Sequence, residues 1–370
     1  MPRFASKPSP TSEKLRGGYY TPDAIARFLA EWVADAGPHL LEPSCGDGSV
    51  LRWLAQSRPS GRVLGVEVLD AEAEKAQATA GAPVHVGDFF KWFSSEQRGA
   101  WDGVAGNPPY IRFGNWPEKD RKAAFDLLSD VGLRPNRLTN AWVPFTVGAV
   151  LALRPGGRLG LVVPAELLQV SYAAQLREFL GEQLSEIRIV TFRRLVFDGI
   201  LQEVVLLLGV RGQGPAVIRT ADLSSAEDLA RLVWSRDHIA IELRGHEKWT
   251  KYFLASTEIN ALRGIRDTTA FVRLGDLCSV DVGVVTGRNS FFTCAPSEAR
   301  ERAIEEWCVP LVARSSQLRG IVFDEEDLAK QQADDVRSLL LALEAGSAPA
   351  NALRVASQER CKRLGAQAPG

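Results

Sequence analysis

Four consecutive residues in the middle of the chain, Asn107-Pro108-Pro109-Tyr110, could do chemistry. Two successive prolines cannot continue a sheet ladder, because each lacks a backbone N–H and has a fixed φ. Pro109 also holds Pro108 in an extended conformation, so a strand that enters this run must stop and leave carbonyl groups unpaired. Carbonyl acceptors beside an amide and an aromatic ring are what a site needs to hold a planar, amine-bearing group such as a nucleobase. A plain strand-terminating turn explains the run equally well.

Length and composition predict a globular protein with two domains. The chain has 370 residues, of which 45% are hydrophobic and 24% charged, and this is enough for two cores. The net charge of −1 argues against a protein that coats polyanions through bulk charge. The five cysteines form no CxxC pair, which is typical of reduced thiols in a cytosolic protein and predicts neither disulfides nor a metal site. We expect no signal peptide and no membrane span, and therefore a cytoplasmic protein.

A helix is predicted to follow a flexible arm, residues 1–18. The run Thr21-Pro22-Asp23 is a helix start, with threonine as N-cap and proline at the first helical position. Apolar residues then recur at helical spacing as far as Val33. A helix start does not explain the two adjacent tyrosines, Tyr19 and Tyr20, that precede it.

Four short apolar runs each end in a polar side chain and lead into the next element. Such βαβ alternation predicts a parallel sheet with helices on both faces. The carboxyl ends of parallel strands line the ligand crevice of open α/β sheets. Three carboxylates and one amide should therefore share one rim: Glu42, Glu67, Asp88 and Asn107.

A turn with two glycines, Pro43-Ser44-Cys45-Gly46-Asp47-Gly48, follows the first strand. Such a turn lets a ligand approach the backbone closely, with helix N–H groups pointing at it. Glu42 and Asp47 disfavour a phosphate there and favour a cationic or zwitterionic ligand. Glu67 ends the next strand, where an acid typically takes ribose hydroxyls. These features predict S-adenosyl-L-methionine, with its ribose on Glu67, its adenine near Asp88 and its methionine near Glu42.

Five short motifs occur in a fixed order within residues 17–210. They are Tyr-Thr-Pro, Leu-Glu-Pro-Ser-Cys-Gly-Asp-Gly-Ser, Gly-Val-Glu-Val, Gly-Asp-Phe-Phe and Gly-Asn-Pro-Pro-Tyr. This set resembles the gamma class of DNA adenine-N6 methyltransferases of bacterial restriction–modification systems, the TaqI-like group. The resemblance implies an α/β fold with a Rossmann-like, seven-stranded methyltransferase sheet whose last two strands form an antiparallel pair. Asn-Pro-Pro-Tyr alone also occurs in glutamine methyltransferases that modify release factors.

The resemblance also implies roles for individual residues. Asn107, Pro108 and Tyr110 would act on the target amine, and Phe197 would stack on the flipped base opposite Tyr110. From the residues alone, Phe197 is equally a core side chain under a hairpin loop. The implied cofactor contacts are Tyr20, Thr21, Glu42, Ser44, Gly46, Glu67, Asp88, Phe89 and Asn107.

Basic side chains follow Tyr110 directly, within residues 111–140. Such a stretch is usually a solvated loop, but its position after Tyr110 favours contacts with DNA phosphates. Arg112 and Asn140 are the expected contacts.

A second DNA-binding segment is expected at residues 283–292, which resemble the opening of the target-recognition domain in relatives of this family. Thr286 and Arg288 are the residues expected to contact DNA. A plain hairpin explains the Thr-Gly-Arg-Asn turn equally well.

The predicted organisation has five parts, because the parallel rhythm of strands and helices stops near residue 246. Members of the family usually carry more recognition domain than this chain shows. The parts are an arm (1–18), a catalytic domain (19–211), a linker (212–245), a partial, smaller, mixed α/β target-recognition domain (246–345) and a tail (346–370).

The predicted function is methyl transfer from S-adenosyl-L-methionine to adenine N6 in double-stranded DNA, protecting it within a restriction–modification system. The Asn107 side-chain oxygen and the Pro108 carbonyl would accept the two N6 hydrogens. A duplex base must flip out first, at a cost of a few kcal/mol, which stacking on Tyr110 offsets by about 1–3 kcal/mol. We expect a monomer, with a cognate restriction endonuclease as a further partner. Cytosine-N4 transfer, protein-glutamine transfer and a catalytically silent DNA-binding subunit stay open.

Overall fold

The computed structural model describes residues 21–196, 203–234, 240–244, 247–272, 274–279, 283–286, 289–318, 320 and 322–342. The chain forms two compact units, Met1–Phe271 and Val272–Gly370. Among the described residues, no helix is long and apolar enough to cross a membrane.

A nine-stranded sheet forms the centre of the first unit, in the order β3-β2-β1-β4-β5-β7-β6-β8-β9. Its first five strands run parallel to one another, whereas β7 lies antiparallel between β5 and β6. The predicted fold class and the predicted antiparallel pair, β6 and β7, are therefore confirmed. The strands are β1 (His39–Glu42), β2 (Arg62–Glu67), β3 (Val84–Val86), β4 (Trp101–Gly106), β5 (Leu153–Pro164), β6 (Leu184–Phe192), β7 (Val204–Arg211), β8 (Val217–Leu223) and β9 (Ile241–Glu242).

Helices cover both faces of this sheet, because successive strand residues point to opposite sides. In β1, Leu40 joins the hydrophobic cluster that contains α1 and α2, whereas Leu41 joins the cluster that contains α4 to α7. The helices of the first unit are α1 (Asp23–Ala34), α2 (Ser49–Ser57), α3 (Asp70–Ala80), α4 (Phe89–Trp92), α5 (Glu118–Asp130), α6 (Trp142–Ala152), α7 (Ala174–Gln183) and α8 (Ser256–Asp267).

The start of α1 differs from the sequence prediction by one residue. Pro22, not Thr21, occupies the N-cap position, and no side chain caps the helix. The Pro22 carbonyl instead accepts hydrogen bonds from Ile25 and Ala26, both at 3.0 Å. This leaves the buried Thr21 outside the helix.

Two strands lie in the predicted linker, residues 212–245. β8 pairs in parallel with β6 from Glu186 to Phe192, and β9 pairs with β8. The sheet therefore has two strands more than the seven predicted. The charged residues in β8 interrupt the apolar run by which a strand is predicted from sequence. In the structure Arg219 forms an ion pair with Glu186 on the neighbouring strand at 3.3 Å.

The second unit contains a small antiparallel sheet in the order β10-β12-β11. A second, smaller part with helices and strands is expected from the sequence, but it begins at Val272 and not near residue 246, since α8 belongs to the first unit. Its elements are α9 (Leu274–Leu277), α10 (Asn289–Phe292), β10 (Thr293–Cys294), α11 (Pro296–Glu301), β11 (Cys308–Pro310), α12 (Glu325–Ala333) and β12 (Leu339–Leu341).

A buried carboxylate, Glu247, joins α8 to the short turn that precedes it. Arg263 pairs with it at 2.9 Å, the Tyr252 hydroxyl donates to it at 2.8 Å, and Lys251 pairs with its other oxygen. Burial alone would raise the pKa of Glu247, but the hydrogen bonds from Arg263, Lys251 and Tyr252 outweigh it and lower the pKa to about 2. The folded state therefore favours the ionised carboxylate.

We expect Glu247→Gln to lower the free energy of unfolding by about 3–5 kcal/mol at neutral pH, because two cations then stay buried without a counter-charge. The contribution of Glu247 is fully present above its unfolded-state pKa of about 4.3 and is lost as pH falls towards about 2. Urea unfolding at several pH values should show the two proteins converging in acid. Glu31→Gln is the control, since its pair with Arg27 is exposed and should contribute less than about 1 kcal/mol. Equal stability of wild type and Glu247→Gln at neutral pH would contradict this account.

Candidate functional site

The carboxyl ends of β1, β2 and β4 meet where the strand order of the sheet reverses. β1 pairs with β2 on one side and with β4 on the other. Glu42 ends β1, Glu67 ends β2 and Asn107 directly follows β4. Ligands bind at such a reversal point in open α/β sheets.

A cavity of about 680 Å³ opens at this edge, within the range of sites for small ligands and cofactors. It contains every described residue that the sequence suggested as a cofactor contact: Thr21, Glu42, Ser44, Gly46, Glu67, Asp88, Phe89 and Asn107. Tyr20 lies outside the described residues. Several lining residues were not predicted: Leu69, Glu72, Lys91, Asn115, Trp116, Asp120 and Phe145.

Two glycines in left-handed conformations shape the turn after β1, for different reasons. Gly46 has a φ of 51° and open space where a Cβ would lie. Gly48 has a φ of 84°, and a Cβ there would lie 2.7 Å from the Ala76 Cα of α3. The absence of a side chain at Gly46 leaves space in the cavity, whereas its absence at Gly48 lets α3 pack against the turn.

The carboxylate of Glu67 holds this turn against the end of β2. Its Oε2 accepts a hydrogen bond from the Gly46 N–H at 2.9 Å, and its Oε1 accepts from the Leu69 N–H at 3.0 Å. Each carboxylate oxygen has a second lone pair, so Glu67 can still accept from a ligand. Its expected contact with a ribose stays a prediction.

Glu42 is a buried acid whose Oε2 has no hydrogen-bond partner within the part of the chain that the structure describes. Burial raises the pKa of Glu42 well above its usual range, and the nearby charges of Asp47 and Glu67 raise it further. A cationic or hydrogen-bond-donating group beside Glu42 would supply the missing partner.

Cys45 lies in the same turn but is not a suitable nucleophile. It is buried, and burial together with Glu42 and Glu67 raises the pKa of its thiol well above the usual range. Because the thiolate is the reactive form, chemistry that needs a cysteine nucleophile is disfavoured here.

Aromatic rings form one wall of the cavity beyond β3. Asp88 caps α4 through a hydrogen bond to its Oδ1 from the Lys91 N–H, at 3.0 Å. Phe89 stacks on Phe145 at 5.4 Å between ring centroids, and Phe90 meets Phe145 edge-on at 4.6 Å. A planar ring has an apolar surface to lie on here.

The run that follows β4 is braced by its own tyrosine. The Tyr110 hydroxyl lies 3.0 Å from Asn107 Oδ1 and 3.2 Å from the Val162 carbonyl oxygen. Asn107 and Pro109 line the cavity, whereas Pro108 is buried beside them. The structure thus brings Asn107 to the predicted cofactor residues and fixes its side chain through Tyr110. Phe197 lies outside the described residues.

Two of the expected DNA contacts lie close to this run. The Ala141 N–H donates to the Ile111 carbonyl at 3.0 Å, which places residue 140 beside residues 111 and 112. Arg112 is exposed, and Asn140 has a buried Oδ1 with no partner among the described residues.

The other two expected contacts belong to the second unit. The Thr286 hydroxyl and Asn289 Oδ1 are 2.5 Å apart and border a separate cavity of about 590 Å³. Arg288 lies outside the described residues.

Part of the basic stretch after Tyr110 has a structural role. Arg121 donates to the Trp116 carbonyl at 2.7 Å and lies 4.0 Å from the centroid of the Phe113 ring. It therefore stabilises the segment that closes one side of the cavity. Lys122 pairs with Asp126 at 2.7 Å on the same helix.

Comparisons with known proteins agree with this architecture. Residues 67–197 match the model of the Eco57I restriction-modification methylase family, and residues 246–360 match that of the C-terminal domain of the type II methyltransferase M.Eco57I. The type II methyltransferase M.AccI of Acinetobacter calcoaceticus is 21% identical over 86% of this chain and 60% of its own length. M.TthHB8I of Thermus thermophilus is 33% identical over 62% of this chain and 53% of its own length. A cryoEM structure of a DrdV–DNA complex matches 90% of this chain and 44% of that chain, with a TM-score of 0.56 and 15% identity.

The chain spans between half and three-fifths of the length of these two relatives. The family models and the fold support S-adenosyl-L-methionine as the cofactor. The cavity fits that group, since its zwitterionic end would give Glu42 the cationic partner that its buried oxygen lacks.

The two glycines of the turn provide a test of its construction. We expect Gly46→Ala to cost about 1–2 kcal/mol of unfolding free energy, because only its left-handed φ is unfavourable. Gly48→Ala should cost about 1–3 kcal/mol more, because its Cβ also collides with the backbone of Ala76. Urea unfolding of both variants measures the difference. Variants of equal stability would contradict the packing described for α3.

Proposed function

We propose that this relative of the type II restriction-modification methyltransferases transfers a methyl group from S-adenosyl-L-methionine to adenine N6 of DNA. The observation that carries the proposal is the position of Asn107. Its amide lies on the same cavity as Glu42, Glu67 and Asp88, and Pro108, which follows it, carries a backbone carbonyl beside that amide.

The cofactor would bind along the rim of strand ends. Glu42 would face the ammonium group, Glu67 the ribose, and Asp88 with Phe89 the adenine ring. Thr21, Ser44 and Gly46 border the same cavity and would surround the methionine part, with Tyr20 as a further predicted contact. When bound, the cofactor supplies an electrophilic methyl group on a sulfonium.

The residues after β4 would activate the target amine. The lone pair of an exocyclic amine is delocalised into the ring, so the amine is a poor nucleophile. Asn107 Oδ1 and the Pro108 carbonyl would accept its two hydrogens and localise the lone pair on nitrogen. The hydroxyl of Tyr110 lies 3.0 Å from the same Oδ1 and holds the Asn107 side chain in place. No strong base is needed, since the proton can leave to solvent after transfer.

The target base would reach Asn107 only after it leaves the duplex. Tyr110 and Phe197 would stack on the flipped base, and Arg112 with Asn140 would contact the DNA strand beside it. The second unit would contribute Thr286 and Arg288.

The organisation of the chain is part of the same proposal. Residues 19–211 would form the catalytic domain, whose sheet also includes β8 and β9. Of residues 246–345, expected to form part of the target-recognition domain, those from Val272 onward form the second unit. We further propose that the protein is a monomer in the cytoplasm and acts with a cognate restriction endonuclease.

Mass spectrometry of nucleosides tests the proposed function. DNA from a host that expresses the protein is digested to nucleosides, with DNA from a host carrying the empty vector as control. We expect N6-methyladenine. N4-methylcytosine instead would assign the same amine chemistry to cytosine, and the absence of both would overturn DNA methylation and favour a silent DNA-binding subunit or a protein substrate.

Removing the amide should separate transfer from cofactor binding. We expect Asn107→Ala to slow methylation by at least about 100-fold, the size typical of losing one preorganised hydrogen-bonding group. Binding of S-adenosylhomocysteine, measured by calorimetry, should stay nearly intact. The matched control is Asn260→Ala, an exposed asparagine on α8. Lost cofactor binding with preserved transfer would contradict the role given to Asn107.

The tyrosine hydroxyl gives a smaller and distinct effect. Tyr110→Phe keeps the ring but removes the bond to Asn107, so the catalytic rate should fall about five- to ten-fold, equivalent to about 1 kcal/mol. DNA binding of Tyr110→Phe, measured by fluorescence anisotropy, should not change. Tyr110→Ala should lower the catalytic rate and also weaken DNA binding. A Tyr110→Phe variant with full activity would show that the hydroxyl does not position Asn107.

A further inference from the structure

A second carboxylate, Glu72, lies in the wall of the cofactor cavity, in the first turn of α3. Its Oε1 pairs with Lys75 Nζ at 2.7 Å. Its Oε2 is shielded from solvent and has no hydrogen-bond partner among the residues that the structure describes. Glu72 was not among the residues that the sequence suggested.

Glu67 and Glu72 differ in the number of their carboxylate oxygens that already accept hydrogen bonds within the protein. Both oxygens of Glu67 accept hydrogen bonds from backbone N–H groups. These two hydrogen bonds stabilise the negative charge of Glu67 and fix the turn at Gly46. Glu72 keeps one whole oxygen without a donor among the described residues, while its other oxygen pairs with Lys75.

A buried carboxylate oxygen without a donor is unfavourable, because it has lost water and gained nothing in return. The cavity contains one more such oxygen, Glu42 Oε2. Each of these two oxygens needs a donor from whatever fills the cavity. The bound cofactor brings an ammonium group at one end and two ribose hydroxyls in its middle.

The position of Glu72 indicates which of these donors, the ammonium group or the ribose hydroxyls, lies beside it. Glu72 lies in the first turn of α3, the helix that follows the end of β2 carrying Glu67, whereas Glu42 ends the neighbouring strand. The ribose is expected beside the end of β2, and the ammonium beside Glu42.

We propose that Glu72 accepts a hydrogen bond from the ribose diol of the adenosyl cofactor and shares the diol with Glu67. This inference rests on the proposed function, since it takes an adenosyl ligand as given. Glu67 then orders the turn and receives one hydroxyl, and Glu72 receives the other. Lys75 is a positioning residue that keeps the Glu72 carboxylate turned towards the cavity.

Calorimetric titration with S-adenosylhomocysteine tests this role without any need for methyl transfer. Glu72→Gln should weaken binding about ten-fold, because a hydrogen bond to a charged carboxylate is replaced by a weaker one to a neutral amide oxygen. The matched control is Glu74→Gln, which removes the same charge from an exposed position on the same helix and should bind like wild type. Thermal unfolding of both variants checks that the fold is kept.

Deoxy analogues of the ligand identify the group that Glu72 holds. Wild type should lose affinity for the 2′-deoxy or the 3′-deoxy analogue of S-adenosylhomocysteine. Glu72→Gln should lose less affinity than wild type for the analogue that lacks the hydroxyl in contact, because its hydrogen bond to that hydroxyl is already weaker. A purely structural role of Glu72 would instead weaken all three ligands by the same factor.

The outcomes separate this inference from the proposed function. No binding of S-adenosylhomocysteine to wild type would overturn the proposed function itself. Tight binding to wild type and equally tight binding to Glu72→Gln would overturn only the role of Glu72. An equal loss for the parent ligand and both analogues would also overturn it.

Discussion

Two backbone amides, those of Gly46 and Leu69, converge on the Glu67 carboxylate at 2.9 and 3.0 Å. One amide belongs to the turn after β1 and the other to the turn after β2, so a single side chain ties the two neighbouring strand ends together. Hydrogen bonds to a charged acceptor contribute about 1.5–3 kcal/mol each. The shape of the cavity depends on this link, because the turn carries Gly46 and Glu67 itself lines the cavity.

The same arrangement concentrates negative charge at one edge of the sheet. Glu42 shows the consequence most clearly, since its pKa is raised by burial and by the neighbouring charges of Asp47 and Glu67. Such a rim attracts a ligand with a positive centre and repels one that carries phosphates. Asn107, at the end of β4, completes the rim with a neutral amide that can accept hydrogen bonds from an amine.

The rim was predictable from sequence because strand ends are local features. A short apolar run followed by an acid or by Asn-Pro-Pro identifies Glu42, Glu67 and Asn107 without knowledge of the packing. The far walls of the cavity were not predictable. Glu72 and Asp120 reach it from helices whose positions depend on how α3 and α5 pack on the sheet, and no local pattern encodes that packing.

Charged residues also misled the sequence interpretation in two places. The sequence predicts a linker where β8 lies, because the partner that neutralises Arg219 is on β6, far away in sequence. Arg121 was grouped with residues that could meet DNA, but it stabilises the segment around Trp116. In both cases the partner of the charge is set by tertiary packing, which composition alone does not reveal.

The central claim is that the rim binds an adenosyl group with a positive centre and no phosphate. A calorimetric titration of the wild-type protein with S-adenosyl-L-methionine and, separately, with ATP tests it most directly. The account predicts saturable binding of one S-adenosyl-L-methionine per chain and no measurable binding of ATP. Tighter binding of ATP than of S-adenosyl-L-methionine would contradict it.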